Sequence, residues 1–120
     1  MKVIVKKPGE KQIIKDIANG DLIKSVKKII KPGKFFGLLF NEVAGTDVAA
    51  LASQEQKVLV YCKKKQDLKK DAYNFELQKN PLINFYGTVV VARIKDSSAE
   101  TVDAVDLTEE DIKFFEKVAK

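Results

Sequence analysis

Short apolar runs separated by turn signals open the chain. Lys2–Val5 and Gln12–Ile17 are rich in β-branched residues, and the Pro8-Gly9 dipeptide between them is typical of a tight turn. This pattern predicts a β-hairpin.

The apolar spacing then changes from strand-like to helical. Between Leu22 and Ile30 the apolar side chains recur on one face of a helix, and the lysines of the segment fall on the opposite face. Asn19-Gly20-Asp21 is a start signal, and Pro32-Gly33 is a stop signal. We expect an amphipathic helix whose lysines face solvent.

Several later segments have strand-like patterns, separated by polar stretches. Those with continuous apolar runs are Lys34–Phe40, Lys57–Cys62, Leu82–Ile94 after Pro81, and the short Val102–Val105. Residues 63–80 are polar and basic, but Tyr73, Phe75 and Leu77 are spaced by two, which predicts a short edge strand within a long loop. Asp96–Thr101 is expected to be a turn.

The segment between the apolar runs Lys34–Phe40 and Lys57–Cys62 is ambiguous. Asn41–Gly45 is expected to be a loop. Thr46 could cap a short helix through about Gln54, because the alanines of this segment favour helix, and a strand is the alternative. If a helix forms, Gly45-Thr46-Asp47 either caps it or presents its amides to an anion.

The C-terminal segment has the clearest local signal. Thr108 and Asp111 have capping-box spacing, with Asp in place of the usual Glu or Gln, and Leu107 and Ile112 are spaced as a hydrophobic staple. These features predict a helix over about Glu109–Ala119. The whole chain, residues 1–120, is expected to be a single α+β domain: a mainly antiparallel sheet of about five to six strands with two or three helices.

Composition favours a globular, cytoplasmic protein. Hydrophobic residues make up 45% of the chain and charged residues 32%, and no apolar run approaches the about 20 residues that a membrane span needs. Lys6, Lys7 and Pro8 interrupt the apolar run at the N-terminus too early for a signal peptide. A single cysteine fits a reducing compartment. We expect no membrane partner.

Charge is distributed unevenly. Residues 1–95 contain 19 Lys and Arg against 9 Asp and Glu, whereas residues 96–120 contain 3 Lys against 8 Asp and Glu. The basic part is compatible with nucleotides or nucleic acid as partners. The acidic part could neutralise that surface within the chain or across a dimer, and we expect a homo-oligomer.

The absence of histidine and the single cysteine exclude most catalytic mechanisms. The chain has no histidine, and so lacks the commonest general base and the commonest metal ligand. Cys62 has no histidine to activate it, and we expect it to be an inert, partly buried thiol. Neither the standard phosphate loops nor the spacing of a zinc or calcium site is present. We therefore predict a protein that is not an enzyme and that uses no cofactor or metal.

The densest group of cations lies next to aromatic residues. Lys63, Lys64 and Lys65 begin a basic run through Lys70 that is either a solvated loop or the rim of an anion site. In the second case Tyr73, Phe75 or Tyr86 would stack on a base, and Asn74 would bond a base edge or a ribose.

Arg93 has the same strand parity as Val89 and Val91. If that face is covered, the guanidinium needs an anionic partner. The alternatives are an ion pair with the acidic C-terminal segment and the binding of a ligand anion. In the ligand site that we predict, Arg93 and the lysines would hold a phosphate.

Four segments in a fixed order resemble a family of small uncharacterised proteins of phages, prophages and plasmids. They are Met1–Lys11, Ala72-Tyr73-Asn74-Phe75, Tyr86-Gly87-Thr88-Val89-Val90-Val91 and Asp106–Ile112. Two features depart from the family: Phe75 stands where the family often has arginine, and residues 41–56 look like an insertion.

The resemblance implies an accessory role, often directed against host defence. The expected function is therefore binding and sequestration of a small anionic, nucleotide-derived ligand, of the cyclic nucleotide or cyclic ADP-ribose type. Alternatives are a DNA- or RNA-binding accessory protein and a protein inhibitor of a host enzyme. Phe114, Phe115 and Val118 would supply an apolar patch for the inhibitor, although core packing is their simpler use.

Overall fold

A computed structural model describes residues 1–18, 22–30, 43–53, 55–63, 72–77, 84–95 and 104–118. The strands within these ranges are β1 (Lys2–Lys6), β2 (Ile13–Asp16), β3 (Val43–Asp47), β4 (Gln56–Lys63), β5 (Tyr73–Glu76), β6 (Asn84–Tyr86), β7 (Val89–Lys95) and β8 (Ala104–Val105). The helices are α1 (Leu22–Ile30) and α2 (Glu109–Val118), and a single 3₁₀ turn spans Ala49–Leu51.

The main sheet is antiparallel and has the strand order β2-β1-β7-β4-β3. The short β8 also pairs with β7, at Arg93 and Ile94, beyond the residues of β7 (Val89–Val91) that pair with β1. In the part of the chain that the structure describes, β5 and β6 form a second sheet. This arrangement confirms the predicted α+β class with a mainly antiparallel sheet.

Each face of the main sheet has its own core, because neighbouring residues of a strand point to opposite faces. On one face α1 packs Leu22, Val26 and Ile30 against Val90 and the other residues of that core. The other face is covered by α2 and by the β5–β6 sheet, whose buried residues include Phe115, Phe75 and Phe85.

The N-terminal elements agree with the apolar pattern. β1 and β2 form the predicted hairpin, with Ile4 opposite Ile14, and Gly9 adopts a φ of 73° in the connecting turn. Positive φ is a conformation that glycine adopts without a steric penalty. The α1 helix buries the predicted face. The start and stop signals of α1, at 19–21 and 32–33, lie outside the described residues, as does the predicted strand Lys34–Phe40.

The segment after residue 41 corrects the sequence prediction. The expected loop Asn41–Gly45 and helix Thr46–Gln54 are wrong for the most part, because Val43–Asp47 pairs with β4 as an edge strand. The strand alternative is confirmed for Thr46 and Asp47. Ala49 and Ala50 lie in the 3₁₀ turn, which has no side-chain cap at Val48. Pairing with β4 has overridden the helix propensity of the alanines.

The predicted strand Leu82–Ile94 is also corrected. It is two strands, β6 and β7, in different sheets, and the chain turns between them at Gly87, where φ is 77°. The short strand predicted at Val102–Val105 is present as β8, and the predicted turn Asp96–Thr101 lies outside the described residues.

The C-terminal helix begins as predicted. The Thr108 amide donates to Asp111 Oδ2 at 2.9 Å, and the Asp111 amide donates to Thr108 Oγ1 at 3.2 Å, which together form the capping box. Leu107 is buried, and Ile112 packs against the same core. Within the described ranges, neither helix is long and apolar enough to cross a membrane.

Candidate ligand-binding cleft

An open cleft of about 730 Å³ lies where the turn of the β1–β2 hairpin meets β5 and the end of α2. We call it the hairpin cleft, and its lining residues are Lys6, Gly9, Glu10, Lys11, Gln12, Tyr73, Asn74 and Glu116. A volume of this size falls within the range that holds small organic ligands.

Lys6 supplies a largely buried amine to the hairpin cleft. It is the last residue of β1 and lies on the same face as Ile4, so its side chain points toward the core beneath α2 rather than toward solvent. The residue is only 4% exposed, and Nζ donates to the carbonyl of Lys7 at 3.2 Å. Burial lowers the pKa of Lys6, and the nearby charge of Glu10 opposes this effect.

Asn74 joins the small sheet to the main sheet. Its Nδ2 donates to the Lys6 carbonyl at 2.9 Å and to the Gly87 carbonyl at 2.8 Å. The residue is 6% exposed, and no group among the described residues donates to its Oδ1. Both amide hydrogens therefore serve the fold, and the side-chain oxygen is itself buried.

Tyr73 places an aromatic ring beside Asn74. It is 49% exposed although it is a large hydrophobic residue, and its ring lies edge-on to Tyr86 with the centroids 5.5 Å apart. Tyr86 is the cross-strand partner of Tyr73 in the β5–β6 sheet, so it supports one side of the ring. The exposed side is available to stack on a flat ligand.

The opposite wall of the hairpin cleft contains Gln12, which connects the hairpin to α2. Its Nε2 donates to the carbonyl of Ile112 at 3.2 Å. Its Oε1 is buried and receives no hydrogen bond from the part of the chain that the structure describes. Glu116 of α2 completes this wall.

Among the described residues, the charges of the cleft lining balance. Two lysines, Lys6 and Lys11, oppose two glutamates, Glu10 and Glu116. A polyanion would meet repulsion from the carboxylates as well as attraction from the amines. The described lining therefore favours a small ligand of limited negative charge over a polyanion.

The sequence-predicted site residues fall into separate places. Tyr73 and Asn74 line the hairpin cleft, and Tyr86 contacts Tyr73. Phe75 is 3% exposed and packs in the core, with its ring centroid 4.9 Å from that of Phe85. The Phe75 ring therefore cannot reach a ligand in this conformation.

Of the predicted lysines the structure describes Lys63, which is not among the lining residues of the hairpin cleft. Lys63 is half-buried at the end of β4, opposite Val43. Lys64 and Lys65 lie outside the described residues.

Arg93 forms the ion pair with the acidic C-terminal segment that was one of its two predicted uses. Its Nε and one terminal nitrogen donate to the two carboxylate oxygens of Asp111 at 2.9 and 2.8 Å. The remaining contacts go to Gln56 Oε1 at 3.3 Å and to the Leu51 carbonyl at 3.0 Å. Because protein acceptors occupy the guanidinium, we leave Arg93 out of the candidate site.

Sequence reasoning missed the hairpin half of the cleft. Lys6 carried a usable signal, because a lysine in register with Ile4 on an apolar strand points toward a covered face. No feature of the sequence predicted a site role for Gln12, because that role depends on which helix lies beside the hairpin.

The comparisons with known proteins add no relative to this picture. A scan of protein-family models, a search of curated proteins and a search of solved structures each found no match to this chain. The resemblance to proteins of mobile elements stays a prediction.

Proposed function

We propose that the chain binds a small anionic, nucleotide-derived ligand in the hairpin cleft and does not transform it. The observation that carries this proposal is the half-exposed ring of Tyr73, which lines the same cleft as Asn74, Lys6 and Lys11. A ring for stacking and a polar group for the base edge are the usual elements of base recognition.

Lys6 and Lys11 support the anionic part of the proposal. Both line the same cleft, and each offers an ammonium group to a phosphate or a related anion. Glu10 and Glu116 limit the total negative charge that the cleft accepts, which favours a compact ligand over a DNA or RNA strand.

The biological use that we propose is sequestration of a nucleotide signal of host defence, by an oligomer of a mobile-element protein. The support for this part is the sequence resemblance described above. Binding alone is sufficient for sequestration, and no catalytic group is required.

Calorimetry tests the proposal with a panel of cyclic mononucleotides, cyclic dinucleotides and cyclic ADP-ribose isomers. We expect at least one of them to bind, and Tyr73→Ala to weaken that binding by about 10- to 100-fold, as expected for the loss of one stacked base. Tyr73→Phe keeps the ring and should keep most of the affinity.

Ile14→Ala is the matched control. Ile14 is 43% exposed on β2 and does not line the hairpin cleft, so its truncation should leave binding unchanged. Absence of binding by every ligand of the panel at about 100 μM, where affinity is already weak, would refute the proposal.

A further inference from the structure

The strand β2 lies at one end of the main sheet, and its outer edge has no strand partner among the described residues. Every residue of β2 is exposed. Ile13, at 56%, and Ile14, at 43%, are two of the three large hydrophobic residues that are exposed in the described ranges. They are consecutive, so their side chains lie on opposite faces of the strand. An exposed edge strand with apolar side chains is a surface to which another strand can pair.

The ladder between β1 and β2 shows which backbone groups of β2 point outward. The Ile17 amide donates to the Met1 carbonyl at 2.8 Å, so the backbone of Ile17 faces β1. Residues that bond to the neighbouring strand alternate with residues that do not, and the register of β1 with β2 continues without a shift. The amide and carbonyl of Lys15 therefore point toward β1, whereas those of Ile14 and Asp16 point outward.

Charge restricts the ways in which two copies of β2 can pair. In a two-fold symmetric antiparallel pair the ladder is centred on one residue, because side chains directly opposite each other share a face. Centring on Lys15 or on Asp16 places like charges opposite each other, and centring on Ile13 places Lys11 opposite Lys15. Centring on Ile14 is the register on a β2 residue that sets no like charges directly opposite.

The register centred on Ile14 also satisfies the outward backbone groups. Each copy of Ile14 offers its amide and its carbonyl at the outer edge, so the two copies exchange both hydrogen bonds. Their side chains then contact each other on the face that carries Ile4, the cross-strand partner of Ile14 in the hairpin. On the other face, Ile13 lies opposite the methylene groups of Lys15 of the second copy.

The edge at the other end of the main sheet is less suited to pairing. That edge is β3, Val43–Asp47, and none of its residues is among the exposed large hydrophobic residues of the described chain. Pairing of β2 with β2 uses the same surface twice and closes as a dimer, whereas pairing of β2 with β3 would continue into an open chain of sheets. An apolar edge at one end therefore favours the closed dimer.

We infer that two copies of this chain form a symmetric dimer by antiparallel pairing of β2, with Ile14 on the two-fold axis. The two main sheets then become one continuous sheet. Residues Ile13–Asp16 do not line the hairpin cleft, so the inference does not rest on ligand binding. One strand from each copy makes a small interface, and we expect a dissociation constant in about the micromolar to millimolar range.

Cysteine cross-linking tests the register. Ile14→Cys sets two thiols opposite each other with the Cα atoms about 5.5 Å apart, within reach of a disulfide. Ile13→Cys sets the Cα atoms about 8 Å apart, because the two copies are offset by two residues along the strand, and this separation is too large. Under mild oxidation we expect Ile14→Cys to form covalent dimers at least about tenfold faster than Ile13→Cys.

The comparison of these two variants is matched. Ile13 is the more exposed of the two residues, so cross-linking through random collisions would favour Ile13→Cys, the opposite of the expected result. Cys62 is buried and present in both variants, and its background reaction is therefore the same.

Sedimentation equilibrium from about 10 μM to 1 mM measures the association itself. We expect the average mass to rise with concentration from 13.4 kDa toward twice that value. Ile14→Lys sets two like charges opposite each other and should weaken association by at least about tenfold. Thr46→Lys makes the same change of charge on β3 and should leave association unchanged. Circular dichroism checks that each variant is folded.

The outcomes separate this inference from the proposed function. A mass of 13.4 kDa at every concentration overturns the inference, and so does equal cross-linking of the two cysteine variants. Dimers that persist in Ile14→Lys and dissociate in Thr46→Lys would place the interface at β3 and overturn it as well. If monomers bind the nucleotide panel, the inference fails and binding in the cleft stands. If dimers form through Ile14 and no nucleotide binds, the reverse holds.

Discussion

At the scale of single residues, Asp111 performs two tasks with one carboxylate. Oδ2 accepts from the Thr108 amide and from Arg93 Nε, while Oδ1 accepts from a terminal nitrogen of Arg93. The first contact caps α2, and the other two attach α2 to β7. Asp111 is fully buried, so this pair is held away from water in the core between the helix and the sheet.

Loss of Arg93 should therefore destabilise the whole fold. Arg93→Met leaves the Asp111 carboxylate buried without its cation, and we expect the free energy of unfolding to fall by about 3–5 kcal/mol. Chemical denaturation measures the change. Lys95→Met, an exposed substitution on the same strand, should stay within about 0.5 kcal/mol of the unchanged protein. Equal effects of the two substitutions would contradict the structural role of Arg93.

The same pair predicts sensitivity to acid. Burial raises the pKa of Asp111, but the hydrogen bonds from Arg93 and Thr108 outweigh burial, so the net pKa lies below its ordinary value. The unfolded chain then binds the proton more tightly than the folded chain does, and stability rises with pH in this range. The contribution of Asp111 is complete above the unfolded value of about 4 and is lost as the pH falls through the lower folded value.

Asp111→Asn isolates this contribution. We expect the stability of the unchanged protein to decrease more steeply below about pH 4 than that of the variant, when both are measured by denaturant titration over a pH series. Parallel pH profiles for the two proteins would show that Asp111 does not titrate with folding.

Individual residues also show how far sequence reasoning reaches. The strand parity of Arg93 and the acidic composition of the C-terminal segment made an ion pair one of two predicted uses, but they did not exclude a ligand anion. The orientation of the Gln12 and Asn74 amides could not be predicted in the same way, because it depends on backbone carbonyls that are distant in sequence.

At the scale of elements, the break between β6 and β7 separates the two sheets. Apolar residues predominate over residues 82–94, so the pattern predicted one long strand. Gly87 was the available signal for a break, and in the structure its amide donates to the Ala72 carbonyl while its carbonyl accepts from Asn74. The turn and the cleft wall therefore depend on the same residue.

Substitution of Gly87 tests this dependence. The positive φ of 77° should make Gly87→Ala destabilising by about 1–2 kcal/mol, the usual cost of a side chain in a left-handed backbone conformation. Gly87→Asn should cost less, because asparagine adopts this conformation more readily. Thermal or chemical unfolding measures both, and an alanine variant as stable as the asparagine variant would argue against the observed turn.

The edge strand β3 shows the other limit of local patterns. Alanines at 49, 50 and 52 favoured a helix, whereas the pairing of Val43–Asp47 with β4 is a long-range contact. Gly45 fits this pairing, since a Cβ atom at that position would lie 3.0 Å from the Tyr61 ring. Apolar pattern was sufficient for β4, whereas β3 has little apolar pattern of its own and is defined by its pairing with β4.

At the scale of the whole molecule, two cores on opposite faces of one sheet hold the chain together. Cys62 belongs to the core beneath α2, where it is 5% exposed, and burial raises the pKa of its thiol. Both effects reduce the thiolate that reagents attack.

Cys62 should therefore report on global unfolding. We expect Ellman's reagent to react with the native protein far more slowly than with the protein unfolded in denaturant. Measured under native conditions, the reaction rate should increase in Arg93→Met because that variant unfolds more often. Fast labelling of the native protein would place the thiol at the surface and contradict the core described above.

The position of β7 in the main sheet has a consequence for the order of events during synthesis. This strand lies between β1 and β4, yet it begins at Val89, after about three quarters of the 120 residues have been made. Until β7 has been made, the edges of β1 and β4 that pair with it have no partner strand. Unpaired strand edges promote association with other chains. A nascent chain halted before Val89 should consequently depend on chaperones until β7 has been synthesised.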